Sequence, residues 1–145
     1  MEDATPPVPR GRWQVLIVDD APDIRDTFRD LLESEGFRVI EAEDGPAALA
    51  ILRSSRYPLI VLLDFMMPGM RGDSIIETLN KEHRLPGKHA IILFTASPST
   101  VPRSVYPALT KLDIPIISKD IFPEDLFDLL DQASARIILQ QQQPW

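Results

Sequence analysis

Apolar and polar positions fall into short blocks along this chain, and the period changes from block to block. Trp13–Val18 is apolar apart from Gln14 and ends in two aspartates, Asp19 and Asp20. A run this short and this apolar predicts a buried strand. Asp23–Glu35 sets Ile24, Phe28, Leu31 and Leu32 at helical spacing, and Gly36 stands where a helix C-cap is expected. Phe37–Ala42 alternates as a strand does, and Gly45–Ser54 predicts a helix with Ala48, Leu49 and Leu52 on one face, broken by Tyr57-Pro58. Leu59–Leu63 is continuously apolar, which predicts a strand covered on both faces.

Pro68, Gly69 and Gly72 mark a turn, and Asp73–Asn80 predicts a short helix with Ile75, Ile76 and Leu79 inward. Ala90–Phe94 predicts the next buried strand and Ile114–Ile117 a last short one. Between them Pro98, Pro102 and Pro107 rule against one long helix over Ser97–Leu112. Pro123 opens a final helix, with Glu124 and Asp125 suited to its N-terminal dipole and Leu126, Leu129, Leu130, Ala133 and Ile137 on one face.

Apolar strands alternating with amphipathic helices imply a parallel sheet with helices on both faces. Right-handed crossovers make it a doubly wound, five-stranded α/β domain whose fourth helical region is atypical. The expected limits are a flexible proline-bearing arm over 1–12, one domain over 13–139, and a low-complexity tail over 140–145 that frays.

A chain of 145 residues suits one domain. Its net charge of −7 argues against direct nucleic-acid or anionic-lipid partners. The absence of cysteine excludes disulfides and thiolate metal sites, and fits a reducing, cytoplasmic setting. No apolar run is long enough to span a bilayer, and the N-terminus has no signal-peptide core.

In a doubly wound sheet the functional crevice lies beyond the carboxyl ends of the strands. Four strand ends here deliver Asp19-Asp20, Asp64, Thr95 and Ser118-Lys119 to that edge. Each has a plain structural explanation when taken singly: a helix N-cap, a turn residue, the end of a strand, a solvated lysine. All four arriving at one edge is not explained that way. Carboxylates brought together repel one another, and a hard dication removes the conflict. Oxygen donors favour magnesium, manganese or calcium, and a shell of few carboxylates completed by water suits magnesium, with manganese second. A carboxylate at such an ion can take a phosphoryl group. Asp64 is the nucleophile expected, with the Lys119 ammonium and Thr95 hydroxyl stabilising the transferring oxygens. The Met67-Pro68-Gly69 turn lets backbone approach the ion. His83 and His89 are expected as exposed loop residues. Met66, Met67 and Met70 are expected in packing and turns, Trp13 at a strand edge and Trp145 in a loose end.

These pieces resemble the response-regulator receiver domain of two-component signalling. The matching stretches are Val15-Leu-Ile-Val-Asp-Asp20, Leu63-Asp64-Phe-Met-Met-Pro68-Gly-Met, Thr95-Ala96 and Ser118-Lys119, within a resemblance running from about Val15 to Ala135. The resemblance implies a flavodoxin-like fold and phosphorylation of Asp64 by a sensor histidine kinase, a phosphotransfer protein or a small phosphodonor. It implies magnesium held by Asp20, Asp64 and the Met66 backbone carbonyl, with Asp19 acting through water. Thr95 would turn toward the phosphoryl group and Lys119 would pair with Asp64 or the phosphate. Met66 and Ser97 would flank the water that ends the phosphorylated state, and an apolar Met66 would lengthen it. The module would switch a downstream protein or its own output domain, with a homodimer possible, and would catalyse only its own phosphorylation and dephosphorylation.

Three positions and one stretch depart from the family pattern. Asp120 stands where proline usually follows the lysine. Ile116 replaces the aromatic switch residue. Arg71 replaces an aspartate, and the Ser97–Ile114 stretch carries three prolines and lacks the usual Gly-Ala. They motivate an alternative, a receiver-like interaction module that works without phosphorylation. A hydrolase with an aspartyl-phosphate intermediate is disfavoured, because Met66 stands where such enzymes carry a second aspartate and cannot move a proton.

Overall fold

The computed structural model describes residues 9–67, 71–82 and 88–142. Its strands are β1 (Gln14–Val18), β2 (Arg38–Ala42), β3 (Leu59–Leu63), β4 (Ala90–Thr95) and β5 (Ile116–Ser118). The α-helices among the described residues are α1 (Pro22–Ser34), α2 (Gly45–Ser54), α3 (Gly72–Lys81), α4 (Tyr106–Leu112) and α5 (Pro123–Gln142). All strand pairs are parallel, in the order β2-β1-β3-β4-β5. This is the five-stranded, doubly wound arrangement expected from the sequence.

The period-two geometry of strands divides the apolar residues between two layers. Val15, Ile17, Ile60, Leu62, Ile92 and Phe94 pack under α1 and α5 against Leu32, Leu126 and Leu130. Leu16, Val18, Val61, Leu63, Ile91 and Leu93 pack on the other face against α2, α3 and α4. That is why β3 and β4 read as unbroken apolar runs. Each such side chain, fully buried, contributes roughly 1.5–3 kcal/mol relative to exposure.

Local chemistry sets the helix ends. Gly36 adopts φ +91° after α1, and the Gly36 and Phe37 N–H groups donate to the Glu33 and Leu32 carbonyls, the paired bonds of a Schellman cap. Asp44 caps α2 by accepting from the Ala47 N–H at 2.8 Å. The three prolines after β4 each stand at the start of a short element: Pro98 begins a 3₁₀ turn, Pro102 precedes a second, and Pro107 lies in the first turn of α4. There a missing N–H costs nothing.

Several expectations need correction. The last strand is Ile116–Ser118, not Ile114–Ile117, because the Ile114 N–H donates to the Leu109 carbonyl and closes α4. Residues 140–142, expected to fray, continue α5. Packing reaches N-terminal of the expected domain start at Trp13: Arg10–Arg12 form a 3₁₀ turn, and the Arg10 guanidinium donates to Asp131 and Glu35 while lying over the Phe37 and Phe127 rings. Trp13 precedes β1 and is buried in the α1/α5 layer. His89, expected in an exposed loop, is 2% exposed. Its Nδ1 accepts from the Leu59 N–H at 3.0 Å and its Nε2 lies 3.1 Å from the Leu52 carbonyl, so the ring joins the end of α2 to the start of β3. Met66 is exposed rather than packed, whereas Met67 is buried. The rest of the arm (1–8), the turn residues Pro68, Gly69 and Met70, His83, and the tail 143–145 lie outside the described residues.

Candidate functional site

The chain leaves β1 toward β2 on one side and returns to β3 on the other, so a crevice opens between the carboxyl ends of β1 and β3. Asp19 and Asp64 occupy it, each one residue past its strand and still held by a ladder hydrogen bond. The Asp19 N–H donates to the Ala42 carbonyl at 3.1 Å and the Asp64 N–H to the Val18 carbonyl at 2.9 Å. Both side chains are buried, while Asp20 is exposed. One oxygen from each of the three carboxylates lies within 4.8 Å of the others.

Around them the Lys119 N–H donates to the Thr95 carbonyl at 2.9 Å, tying the ends of β4 and β5 together. The Lys119 ammonium pairs with Asp19 and lies 3.6 Å from Asp64 Oδ1. The resemblance implies that this lysine pairs with Asp64 or a phosphate; Asp64 is within reach, and the nearer partner is Asp19, the more deeply buried carboxylate. Thr95 is buried, and its Oγ1 accepts from the Ser97 N–H at 3.4 Å. The Met66 N–H donates to Asp64 Oδ1 at 3.4 Å, while Met66 as a residue is 53% exposed. Ile116 sits apart from this group, at the start of β5 beside Leu93 and packed on the α2–α4 layer.

Burial pushes the Asp64 carboxyl above its ordinary value. Lys119 opposes the shift, Asp19 adds to it, the Met66 N–H opposes it, and Asp20 adds to it. One ammonium therefore lies beside two of the three clustered carboxylates. The donor set is all oxygen and confined to a few ångströms, which fits a small hard dication such as Mg²⁺ or Mn²⁺.

Two contributors escaped the sequence reading. Arg25, in the first turns of α1, donates from Nη1 to the Asp19 carbonyl at 2.6 Å and from Nε to Glu41 at 3.2 Å. The available signal was its placement: a cation near a helix N-terminus opposes the macrodipole unless something else holds it. Gly72 is the other. Its N–H donates to the Phe65 carbonyl at 2.8 Å, and a Cβ there would come within 2.8 Å of the Phe65 Cα.

A family profile described as the response regulator receiver domain matches residues 15–131. Among curated relatives, the DNA-binding response regulator MtrA of Mycolicibacterium smegmatis is 37% identical over 90 residues, which is 62% of this chain and 37% of MtrA. The transcriptional regulatory protein CpxR of Escherichia coli K12 is 38% identical over 90 residues, 62% of this chain and 36% of CpxR. The chain thus spans little more than a third of the length of these relatives. Among solved structures, a CheY-like receiver domain protein from Methanospirillum hungatei aligns with a TM-score of 0.72 at 28% identity, covering 91% of this chain and 99% of the other. The response regulator TrrA of Thermotoga maritima, solved in complex with Mg²⁺ and BeF, aligns with a TM-score of 0.68 at 29% identity, covering 83% and 98%.

Proposed function

Since this chain belongs to the response-regulator receiver-domain family of two-component signalling, we propose that Asp64 is its phosphoacceptor and that a magnesium ion supports the transfer. The observation that carries this reading is the gathering of Asp19, Asp20 and Asp64 at the β1/β3 crevice with Lys119 beside them.

In the proposed step an Asp64 carboxylate oxygen attacks the phosphorus of a phosphohistidine or a small acyl phosphate. The bond from phosphorus to the donor nitrogen or oxygen breaks, its electron pair leaves with the donor, and an acyl phosphate remains on Asp64. Lys119 places its ammonium where the incoming charge develops, and the Thr95 hydroxyl donates to a phosphoryl oxygen. Asp20, Asp64 and the Met66 carbonyl would hold the ion directly and Asp19 through water; when bound, the ion supplies positive charge against the phosphoryl oxygens. The state ends when water attacks the same phosphorus and Asp64 leaves as carboxylate. Met66 and Ser97 would border that water's approach, and the apolar Met66 slows it. A kinase or phosphotransfer protein is the proposed donor. The receiver in turn would control an output segment or a separate partner, as the DNA-binding name of MtrA suggests for that longer protein.

The Mg²⁺–BeF complex of TrrA points to a direct test. Fluorine NMR of this protein with beryllofluoride, whose tetrahedral group resembles a carboxyl-bound phosphoryl, should show a bound signal that requires magnesium and is missing in Asp64→Asn. A bound signal of equal intensity in Asp64→Asn, or none in a folded wild-type sample, contradicts the proposal.

A further inference from the structure

We infer that Arg25 is a positioning residue for the acidic pair, clamping the peptide group between Asp19 and Asp20 so that both carboxylates stay turned toward the ion site. The inference rests on the magnesium reading proposed above.

The Asp19 carbonyl belongs to the peptide plane that joins the two aspartates. Fixing that plane constrains ψ of Asp19 and φ of Asp20, and so sets where Asp20 can aim. Asp19 has other restraints: its N–H is held by Ala42, its Oδ1 accepts from the Ala21 N–H at 2.9 Å, and its second oxygen pairs with Lys119. Asp20 is exposed, lies beside two other carboxylates, and makes no side-chain hydrogen bond among the described residues. Like-charge repulsion drives such a side chain outward. The 2.6 Å bond from Arg25 to the Asp19 carbonyl is the contact that resists a rotation of this peptide.

The clamp is itself braced. Glu41, on β2 opposite Ile17 of β1, accepts from Arg25 Nε at 3.2 Å and from Arg29 Nη1 at 3.0 Å. Arg25 is 15% exposed and Glu41 27% exposed at their side chains, so the fork is largely shielded from water. A bare cation bonded to the backbone between two of the clustered aspartates would repel the ion; Glu41 neutralises Arg25 while leaving its Nη1 free to donate to the Asp19 carbonyl. Arg29 provides a charge-matched comparison, since it shares Glu41 but, among the described residues, makes no hydrogen bond to Asp19.

Two roles for Arg25 therefore predict opposite signs. As a mere positive charge, its removal should tighten magnesium binding. As a positioning group, its removal should weaken binding although the repulsion has gone. Outer-sphere partners of metal sites typically cost about 10- to 100-fold in affinity when removed.

The test is a titration of the full chain with magnesium alone, following the Asp20 and Asp64 amide resonances, for wild type, Arg25→Ala, Arg25→Lys and Arg29→Ala. Thermal unfolding of each variant reports on the fold. The expected result is a weakening in Arg25→Ala of about tenfold or more, a smaller weakening in Arg25→Lys, which keeps the charge but not the fork, and wild-type affinity in Arg29→Ala. Phosphorylation by acetyl phosphate should then need more magnesium in Arg25→Ala, with the rate recovering as magnesium saturates. Equal or tighter binding in Arg25→Ala overturns the inference, as does the same loss in Arg29→Ala. If Arg25→Ala does not fold, Arg25→Lys decides: wild-type affinity there overturns it. A folded wild type that ignores millimolar magnesium removes the magnesium reading itself, and the clamp with it.

Discussion

Lys119 shows how one residue can serve several acids at once. Its ammonium is paired with Asp19 and sits 3.6 Å from Asp64, and it offsets part of the burial that raises the Asp64 carboxyl. Asp19, Asp20, Asp64, Thr95 and Lys119 were legible in the sequence because each follows a short apolar run, and a run's end marks a strand's end. His89 was not legible, since nothing local distinguishes a polar residue on the surface from one that spans two buried backbone groups. Burial pushes its imidazole below the ordinary value of about 6.5, the bond to Leu52 opposes this, and Lys88 adds to it. The folded chain thus prefers the neutral ring more than the unfolded chain does. That preference costs no stability above the unfolded value, and stability is lost as pH falls from about 6.5 toward the lowered folded value. His89 should therefore lower the thermal midpoint of wild type relative to His89→Asn as pH goes from about 7 to about 5. Parallel slopes in the two proteins would show that His89 does not carry the effect.

At the scale of elements, apolar runs flanked by turn residues were read to the residue: α2 and β3 have the expected bounds. Misreadings fell where a tertiary hydrogen bond decides the boundary. Ile114 looks like strand but closes α4, and Asp113 before it takes the left-handed conformation (φ 60°) that glycine usually supplies. Gln140, Gln141 and Gln142 extend α5, as straight-chain residues with good helix propensity can. Gly72 was read only as a turn residue; its function is close approach. With α3 starting there and Phe65 directly after Asp64, a methyl group must push Phe65 and the start of α3 apart. Gly72→Ala should lower stability in urea by roughly 1–3 kcal/mol, the usual cost of overpacking. An unchanged urea midpoint would mean that this loop yields more easily than its geometry indicates.

Across the whole molecule, the site is a consequence of strand order. With β1 and β3 adjacent and their connections leaving on opposite sides, two acidic segments that are 44 residues apart at Asp20 and Asp64 meet in one crevice. Five strands in register and two separate apolar layers hold that crevice from both faces, so charge can be concentrated at one end of an otherwise ordinary domain. Topology of this kind was accessible from the alternation of elements. The arrangement that tunes it, with Arg25 and Glu41 bridging α1 to β2, required coordinates, because no spacing rule pairs a helix residue with the adjacent strand. On the proposed reading these acids gather a dication so that Asp64 can carry phosphorus. Intact mass measured after incubation with acetyl phosphate tests it most directly. A gain of one phosphoryl group is expected in the presence of magnesium, none with the metal chelated, and none in Asp64→Asn. Contradiction would be a folded wild-type protein that gains no mass with magnesium present, or an Asp64→Asn protein that gains as much as wild type.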